Sequence, residues 1–104
     1  MAKYLFVYHG GGHPTNEADI KKVMDAWGAW FGSMGAAVLD GGNPTGSSST
    51  VHANGSVSSG GGVNPATGYS LIEASSMEDA IKKAKGCPLL SAGGSIEVAA
   101  TMDM

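Results

Sequence analysis

Apolar and polar positions follow two different periods along the chain, and these periods predict the order of its elements. A continuous run of β-branched and aromatic residues at Lys3–Tyr8 predicts a strand that is covered on both faces. Residues 16–34 then place apolar side chains at helical spacing, between the N-cap candidate Asn16 and the C-terminal Gly35. The apolar stripe of this helix consists of Ile20, Val23, Met24, Trp27, Phe31 and Met34. We therefore expect a strand followed by an amphipathic helix.

A polar segment divides the chain after a second predicted strand at 36–39. Residues 40–68 are rich in glycine, serine and asparagine, which is typical of loops. Within them, Asn54 and Gly55 join two short runs that have strand character. Asn-Gly is the strongest signal of a two-residue hairpin turn, because both positions tolerate a positive φ. We therefore expect a small hairpin with loose loops on either side.

The rest of the chain repeats the strand–helix–strand order and predicts an α+β fold. The repeat consists of a strand at 69–74, a helix from Ser76 to Gly86 with the inner stripe Ala80, Ile81 and Ala84, and a strand at 95–101. Two such units are typical of the ferredoxin-like split βαβ arrangement. Right-handed crossovers then place both helices on one face of an antiparallel sheet. We expect residues 1–104 to form one such domain, to which the hairpin segment is an addition.

This arrangement leaves one face of the sheet without a cover. On strand alternation, Leu5 and Val7 point away from Tyr4, Phe6 and Tyr8, so the first strand is apolar on both sides. An exposed apolar face is normally an interaction surface, and twofold dimers are the commonest oligomers. We therefore expect a homodimer that pairs sheet against sheet.

Charge and composition exclude several kinds of partner. The net charge is −3, and the six basic side chains are all lysine, so the chain lacks the arginine forks that bind phosphate and base edges. We therefore expect no nucleic acid as partner. We also expect no membrane as partner, since no apolar run approaches the roughly 20 residues of a membrane helix. The lone Cys87 predicts a structural thiol, and the apolar start is too short for a secretory signal. The expected location is cytoplasmic.

Four short segments resemble YCII-related proteins, in particular the branch that carries an Asp-Gly-Pro-Phe signature. They are, in chain order, Tyr4–Tyr8, Thr50–Val57, Gly68–Ala74 and Gly94–Val98. The resemblance implies a dimeric α/β barrel, in which two ferredoxin-like subunits join their sheets. One branch of the family has a histidine on its first helix, and residues 16–34 contain none. The acid, proline and phenylalanine of the signature are also missing from residues 59–63, so neither feature transfers to this chain.

Four side chains are candidate proton handlers. His9 ends the first predicted strand and Asp40 follows the second, so the two could form a His–Asp general base at one rim of the sheet. Glu73, like Glu97, lies inside a predicted strand and could act as an acid or base if it faces a dimer cavity. The alternative for all of them is structural. His9 would then bond to the backbone, Asp40 would cap a turn, and the glutamates would lie at an exposed rim.

The glycine-rich loop after the first strand predicts no cofactor. His9 and His13 have a spacing that suits a metal on a helix, but the glycines between them indicate a loop, and no third ligand lies nearby. The same glycines match neither the dinucleotide-binding nor the phosphate-binding fingerprint. We therefore expect no metal and no cofactor.

Aromatic residues outline a candidate ligand pocket between sheet and helices. They are Tyr8, Trp27, Trp30 and Tyr69. Trp27 lies on the predicted core stripe, and Trp30 lies partly off it. Aromatic residues in such positions more often fill cores and interfaces than bind ligands. Two functions stay open: a small-molecule-binding protein, with lyase-, isomerase- or cyclase-like chemistry at His9, Asp40 or Glu73, and a non-catalytic dimerisation or accessory module.

Overall fold

The computed structural model describes residues 2–11 and 14–103, which form an α+β fold of two α-helices, a four-stranded antiparallel sheet and a separate two-stranded sheet. The strands are β1 (Ala2–His9), β2 (Val38–Asp40), β3 (Ser49–Val51), β4 (Val57–Ser59), β5 (Ala66–Ala74) and β6 (Ser95–Ala100). The helices are α1 (Glu17–Met34) and α2 (Met77–Ala84), with short 3₁₀ helices at Gly35–Ala37 and Pro88–Ala92. The large sheet has the order β2-β5-β1-β6, and β3 pairs with β4.

The predicted first strand is confirmed as an inner strand of the large sheet, but within the described residues the helices cover one of its two faces. Antiparallel partners flank β1 on both sides, so that Phe6 is opposite Ser70 of β5 and Val98 of β6. Tyr4, Phe6 and Tyr8 are buried on the side of the sheet that the helices cover. No residue from Tyr4 to Tyr8 is exposed, because β1 has neighbours along both edges and a packed face, whereas Lys3 at the start of the run is exposed.

Helix α1 has the predicted ends but buries a different line of side chains. The Asn16 side chain accepts a hydrogen bond from the Asp19 main-chain N–H at 2.8 Å, and Gly35 follows the last turn with φ 55. Trp30 is the buried side chain of the helix, whereas Met24 of the predicted stripe is 68% exposed. The expectation that the whole stripe packs in the core is therefore wrong for Ile20, Val23 and Met24, which are exposed.

Helix α2 begins with the predicted cap. The Ser76 hydroxyl accepts a hydrogen bond from the Asp79 main-chain N–H, as a capping residue does. Ala80 and Ala84 are buried as expected, but Ile81 is 40% exposed, so its place in the inner stripe is wrong. Because the buried stripe consists of two small alanines, α2 can lie close to the sheet, and the larger Ile81 side chain lies at the edge of this contact.

The chain after α2 contains an element that the sequence pattern did not predict. Cys87 is buried, and a 3₁₀ helix over Pro88–Ala92 follows it. Leu89 of this helix is buried against the end of the core, and Gly93 ends the turn with φ 84. Five residues are too few to show a helical period, which explains why periodicity missed this segment.

The predicted hairpin is present, but its turn is of another type. Main-chain hydrogen bonds join His52 to Ser56 at 2.8 Å and Gly55 to His52 at 2.9 Å, which leaves three loop residues. Gly55 has a φ of 86, while Asn54 is not in the positive-φ region. A three-residue loop that ends in a left-handed glycine is the next most common hairpin turn, so the two-residue prediction is corrected.

The opposite face of the large sheet carries the predicted apolar side chains. Leu5 and Val7 of β1 lie beside Leu71 of β5 in the register, and all three are half-buried. The residues that alternate with them along the two strands, such as Phe6 and Ile72, point into the core instead. The large sheet is open, without barrel closure among the residues that the structure describes. Within those residues, no helix has both the length and the apolar character that crossing a membrane requires.

Candidate functional site

A cleft of about 500 Å³ lies between the middle of α1 and the end of the large sheet. Chain segments from four parts of the fold meet there: the end of β1, the β2 to β5 connection, the start of β5, and the second 3₁₀ helix. The described lining residues are Tyr8, Gly10, Pro14, Val23, Met24, Trp27, Gly28, Phe31, Gly41, Gly42, Asn43, Pro44, Thr67, Gly68, Tyr69 and Leu89. The middle of the apolar stripe of α1, from Val23 to Phe31, therefore forms a cleft wall, although the sequence pattern assigned it to the core.

Aromatic rings form the inner part of this wall. The Trp27 ring meets the edge of Tyr8 with centroids 5.1 Å apart and an interplanar angle of 87°. Trp27 also contacts Phe31, one helical turn further along α1, with centroids 5.9 Å apart. Edge-to-face pairs of this kind are favoured by the ring quadrupoles. The wall is therefore held in shape by its own ring contacts before any ligand binds.

Trp30 lies outside the cleft, contrary to its predicted place in the lining. Its indole N–H donates to the Lys83 main-chain carbonyl at 2.9 Å, and its ring stacks on Phe6 at 6.3 Å between centroids. With 6% of its surface exposed, Trp30 joins α1 to α2 and the sheet as a core residue. Of the four predicted ligand-binding aromatics, the structure places Tyr8, Trp27 and Tyr69 in the lining.

The connection after β2 packs directly against β5 and shapes the cleft floor. Gly42 has a φ of 72, and a Cβ atom there would overlap the main-chain oxygen of Tyr69. Only glycine permits both this backbone conformation and this close approach. The Gly42 N–H donates to the Asp40 carboxylate at 2.8 Å, which fixes the turn.

A buried hydrogen-bond relay runs from Tyr8 behind the cleft wall. The Tyr8 hydroxyl donates to Ser70 Oγ at 2.6 Å, and Ser70 donates to the Gly41 carbonyl at 2.6 Å. Burial raises the pKa of Tyr8 to about 12, so its hydroxyl stays protonated at neutral pH. Ser70 was not among the residues predicted from the sequence, although a serine between Gly68 and Ile72 on the core face of a strand is itself a signal, because buried hydroxyls need partners.

The cleft lining carries no charge on the residues that the structure describes. Apart from the two tyrosines, the described lining contains no titratable side chain at all. An anionic or cationic ligand would lose its hydration there without gaining a counter-charge. The lining therefore favours a neutral, largely apolar molecule.

The predicted pair of His9 and Asp40 does not form. His9 Nε2 lies 3.4 Å from the Glu97 carboxylate, and Nδ1 lies 3.2 Å from the Pro65 carbonyl. Asp40 instead accepts the Gly42 N–H, which is the turn-capping role that was the structural alternative. Both strand ends do reach the same rim, but β5 lies between β1 and β2, which separates the two side chains.

The other candidate proton handlers face away from the cleft. His9 and Glu97 lie on the open side of the large sheet, as does Glu73, which is opposite Lys3 in the register of β1 and β5. The structure therefore brings none of His9, Asp40 and Glu73 into the cleft lining. The Pro65 carbonyl and the Glu97 carboxylate both only accept, so the His9 ring can contact them only as a hydrogen-bond donor.

Two further features do not extend the site. Cys87 is buried and burial raises the pKa of its thiol to about 11, which is the structural role that the sequence predicted. Among residues 2–11 and 14–103, no group of three histidine, cysteine or acidic side chains could hold a metal ion. His13, which was considered with His9 as a ligand pair, lies outside the described residues.

A second groove lies between the end of α1 and α2 and is more polar. Its lining includes Asp79 and Lys83, which are joined at 2.8 Å and neutralise each other. Two hydrogen bonds from Lys83 and one from the Ser75 N–H hold the pKa of Asp79 at about 2. The lining of this groove also contains Lys82, so it is charged where the cleft is not, and the cleft is the better site for an apolar ligand.

Comparison of the chain with protein-family models, with curated proteins and with solved structures found no match.

Proposed function

We propose that this protein binds a small, neutral, largely apolar molecule in the cleft between α1 and the sheet. The observation that carries the proposal is a preformed cavity of about 500 Å³ whose described lining is aromatic and aliphatic and bears no charge. Binding sites for small organic molecules are typically concave, apolar and about 300–1,000 Å³ in volume. No carboxylate, imidazole, amine or thiol belongs to the described lining, so binding has more support than acid–base catalysis.

Two glycines of α1 offer a matched test of this proposal. Gly28 lies in the cleft lining, while Gly32 does not, and a Cβ atom at either position would meet no other atom within 4 Å. We expect Gly28→Leu to fill the cleft and Gly32→Leu to leave it open. Both changes replace glycine inside a helix, and each should stabilise α1 by about 1 kcal/mol.

The measurement is titration calorimetry with neutral bicyclic aromatics such as indole, naphthalene and 2-naphthol. We expect wild type and Gly32→Leu to bind with equal affinity and Gly28→Leu to bind at least tenfold more weakly. Equal binding by both variants would place the ligand elsewhere. An absence of binding by wild type at millimolar probe would contradict the proposal itself.

We also propose that two copies of the chain associate through the open face of the large sheet. Support comes from Leu5, Val7 and Leu71, which form an apolar strip on that face without a helix over it in the described part of the chain. The order β2-β5-β1-β6, with the antiparallel pairing of neighbours, supports the ferredoxin-like arrangement that such a dimer requires. The resemblance to YCII-related proteins and the dimeric α/β barrel stay predictions.

Sedimentation equilibrium tests the association. Leu71→Lys places a charge in the apolar strip, and Ala100→Lys places the same charge on the helix side of the sheet, where Ala100 is exposed. We expect wild type and Ala100→Lys to sediment as dimers at micromolar concentration and Leu71→Lys as a monomer. A monomeric wild type would contradict this second proposal and leave the cleft proposal untouched.

A further inference from the structure

The relay behind the cleft wall determines which kind of hydrogen-bonding group a ligand can present to Tyr8. Ser70 lies 2.6 Å from the Gly41 carbonyl and 2.6 Å from the Tyr8 hydroxyl. A carbonyl oxygen only accepts, so the single Ser70 proton is committed to Gly41. Ser70 must then accept from Tyr8, which commits the single Tyr8 proton as well. The direction of the relay is therefore fixed by chemistry.

The Tyr8 oxygen keeps acceptor capacity after this commitment. A phenolic oxygen can accept a hydrogen bond while it donates its proton elsewhere. Thr67, another lining residue, is similar, because its hydroxyl donates to the Gly10 carbonyl at 3.3 Å. The Gly42 N–H is also used, since it donates to Asp40. The Tyr8 and Thr67 hydroxyls can thus accept from a ligand but have no proton left to give, and the Gly42 N–H is already committed.

We infer that the occupant of the cleft is a neutral aromatic molecule that carries an O–H or N–H donor and directs it to the Tyr8 oxygen. The inference rests on the proposed cleft function and adds the substrate class to it. A phenol, an aryl alcohol or an N–H heterocycle satisfies this acceptor. At Tyr8, an aryl ether or ketone of the same size brings an acceptor against an acceptor, so its oxygen gains no hydrogen bond there and the Tyr8 oxygen stays without a donor.

The test compares two probes that share one ring system. 2-Naphthol has a hydroxyl donor, and 2-methoxynaphthalene has an acceptor at the same carbon but no donor. We expect wild type to bind 2-naphthol about fivefold to tenfold more tightly by titration calorimetry, the range that a net gain of one hydrogen bond gives. Apolar partition alone favours the ether, so a preference for the naphthol reports the hydrogen bond.

Tyrosine variants separate the hydrogen bond from steric fit. Tyr8→Phe removes the acceptor, and the preference for 2-naphthol should fall below twofold while the ether still binds. Tyr4→Phe is the matched control, because Tyr4 is buried on the same face of β1 and lies outside the cleft lining. It should keep the wild-type preference. Ser70→Ala releases the Tyr8 proton, and the preference should then shift toward the ether.

The possible results distinguish the two proposals. Equal affinity of wild type for both probes, or a preference that persists in Tyr8→Phe, overturns the donor inference while the cleft remains a binding site. Failure of wild type to bind either probe overturns the proposed function, and the inference with it. The wild-type comparison needs no variant, so a poorly folded Ser70→Ala protein does not weaken the test.

Discussion

At the scale of single residues, the shape of the cleft depends on the backbone contacts of a glycine and not on any charged group of the described lining. Gly42 combines a positive φ with a position where an added Cβ would overlap the Tyr69 carbonyl oxygen. The atom in the way belongs to the main chain of β5 and cannot rotate aside. The cleft floor therefore has no tolerance for a side chain at this position.

We predict that Gly42→Ala lowers the free energy of unfolding by about 2 kcal/mol or more, because the substitution adds both backbone strain and a main-chain overlap. Gly46→Ala is the control: an added Cβ there meets no atom within 4 Å, and its φ is not in the positive region. Urea unfolding at pH 7 measures both variants. A Gly42→Ala protein as stable as Gly46→Ala would show that the turn after β2 can move away from β5.

Asp79 gives the chain a defined acid sensitivity. Hydrogen bonds from Lys83 and from the Ser75 N–H lower the pKa of this carboxyl from 3.8 to about 2. A carboxyl with a lowered folded-state pKa stabilises the fold above its unfolded pKa, and this contribution disappears as the pH falls through the folded-state value. The contribution is therefore complete above about pH 4 and is lost between about pH 4 and pH 2.

We predict that Asp79→Asn destabilises the protein at pH 7 and that the difference from wild type shrinks as the pH falls below 4. The asparagine keeps the shape of the side chain but removes the charge that attracts Lys83 and lies at the N-terminus of α2. Urea midpoints of both proteins at pH 7, 4 and 2.5 provide the measurement. A constant difference across this range would contradict the role of the Asp79 charge.

Residue roles were predictable from the sequence where they depend on local patterns. Asn16 and Ser76 cap the helices as expected, because capping involves only neighbouring residues. That Trp27 lines the cleft while Trp30 lies in the core was not predictable, since it depends on how α1 is rotated against the sheet. Likewise, the contact of His9 with Glu97 depends on β6 being the neighbour of β1, which no local pattern encodes.

At the scale of elements, the order of strands and helices was predictable because each element has its own period and end signals. Periodicity located α1 correctly but could not tell a core face from a cleft wall, since both are apolar. Val23 and Met24 belong to the cleft lining for that reason. The hairpin was predictable from Asn54-Gly55, whereas its loop length was not, because both turn types favour glycine at the same place.

The β3–β4 hairpin is the least supported element of the fold. Val51 is 71% exposed and Val57 is 65% exposed, and these two side chains face each other across the hairpin. An isolated two-stranded hairpin is marginally stable in water. The main-chain hydrogen bonds of β3 and β4 are therefore expected to open without unfolding of the large sheet.

We predict that the amides of β3 and β4 exchange with solvent at least about a hundredfold faster than those of β1 in native-state hydrogen exchange. The strand β1 has partners on both edges and a packed face, so its amides should require global unfolding. Two-dimensional NMR after dilution into D₂O measures both sets in one experiment. Equal protection in the hairpin and in β1 would mean that the hairpin packs against another surface, such as a second copy of the chain.

At the scale of the whole molecule, the described chain is flatter than a compact domain of its length. The radius of gyration is 15.0 Å, against about 13 Å expected for a chain of this size. The extents of 43 × 42 × 19 Å show that one dimension is much thinner than the others. A sheet with helices on one face and an exposed hairpin accounts for this shape. A second copy of the chain on the open face would add a layer and thicken the molecule along its shortest dimension.

The cleft and the open face lie on different sides of the same sheet, which makes ligand binding and self-association separable. Tyr8 and Trp27 line the cleft on the helix side, while Leu5 and Leu71 form the opposite surface.

We predict that Leu71→Lys, which should produce a monomer, binds 2-naphthol within about twofold of wild type. The reason is that residues without shared partners contribute almost additively. Calorimetry on the dimer and on the monomeric variant provides the comparison. A monomer that binds 2-naphthol tenfold or more weakly would instead mean that the ligand site is complete only in the dimer. The second copy would then close the side of the cleft near Tyr69, because β5 borders both the cleft and the open face.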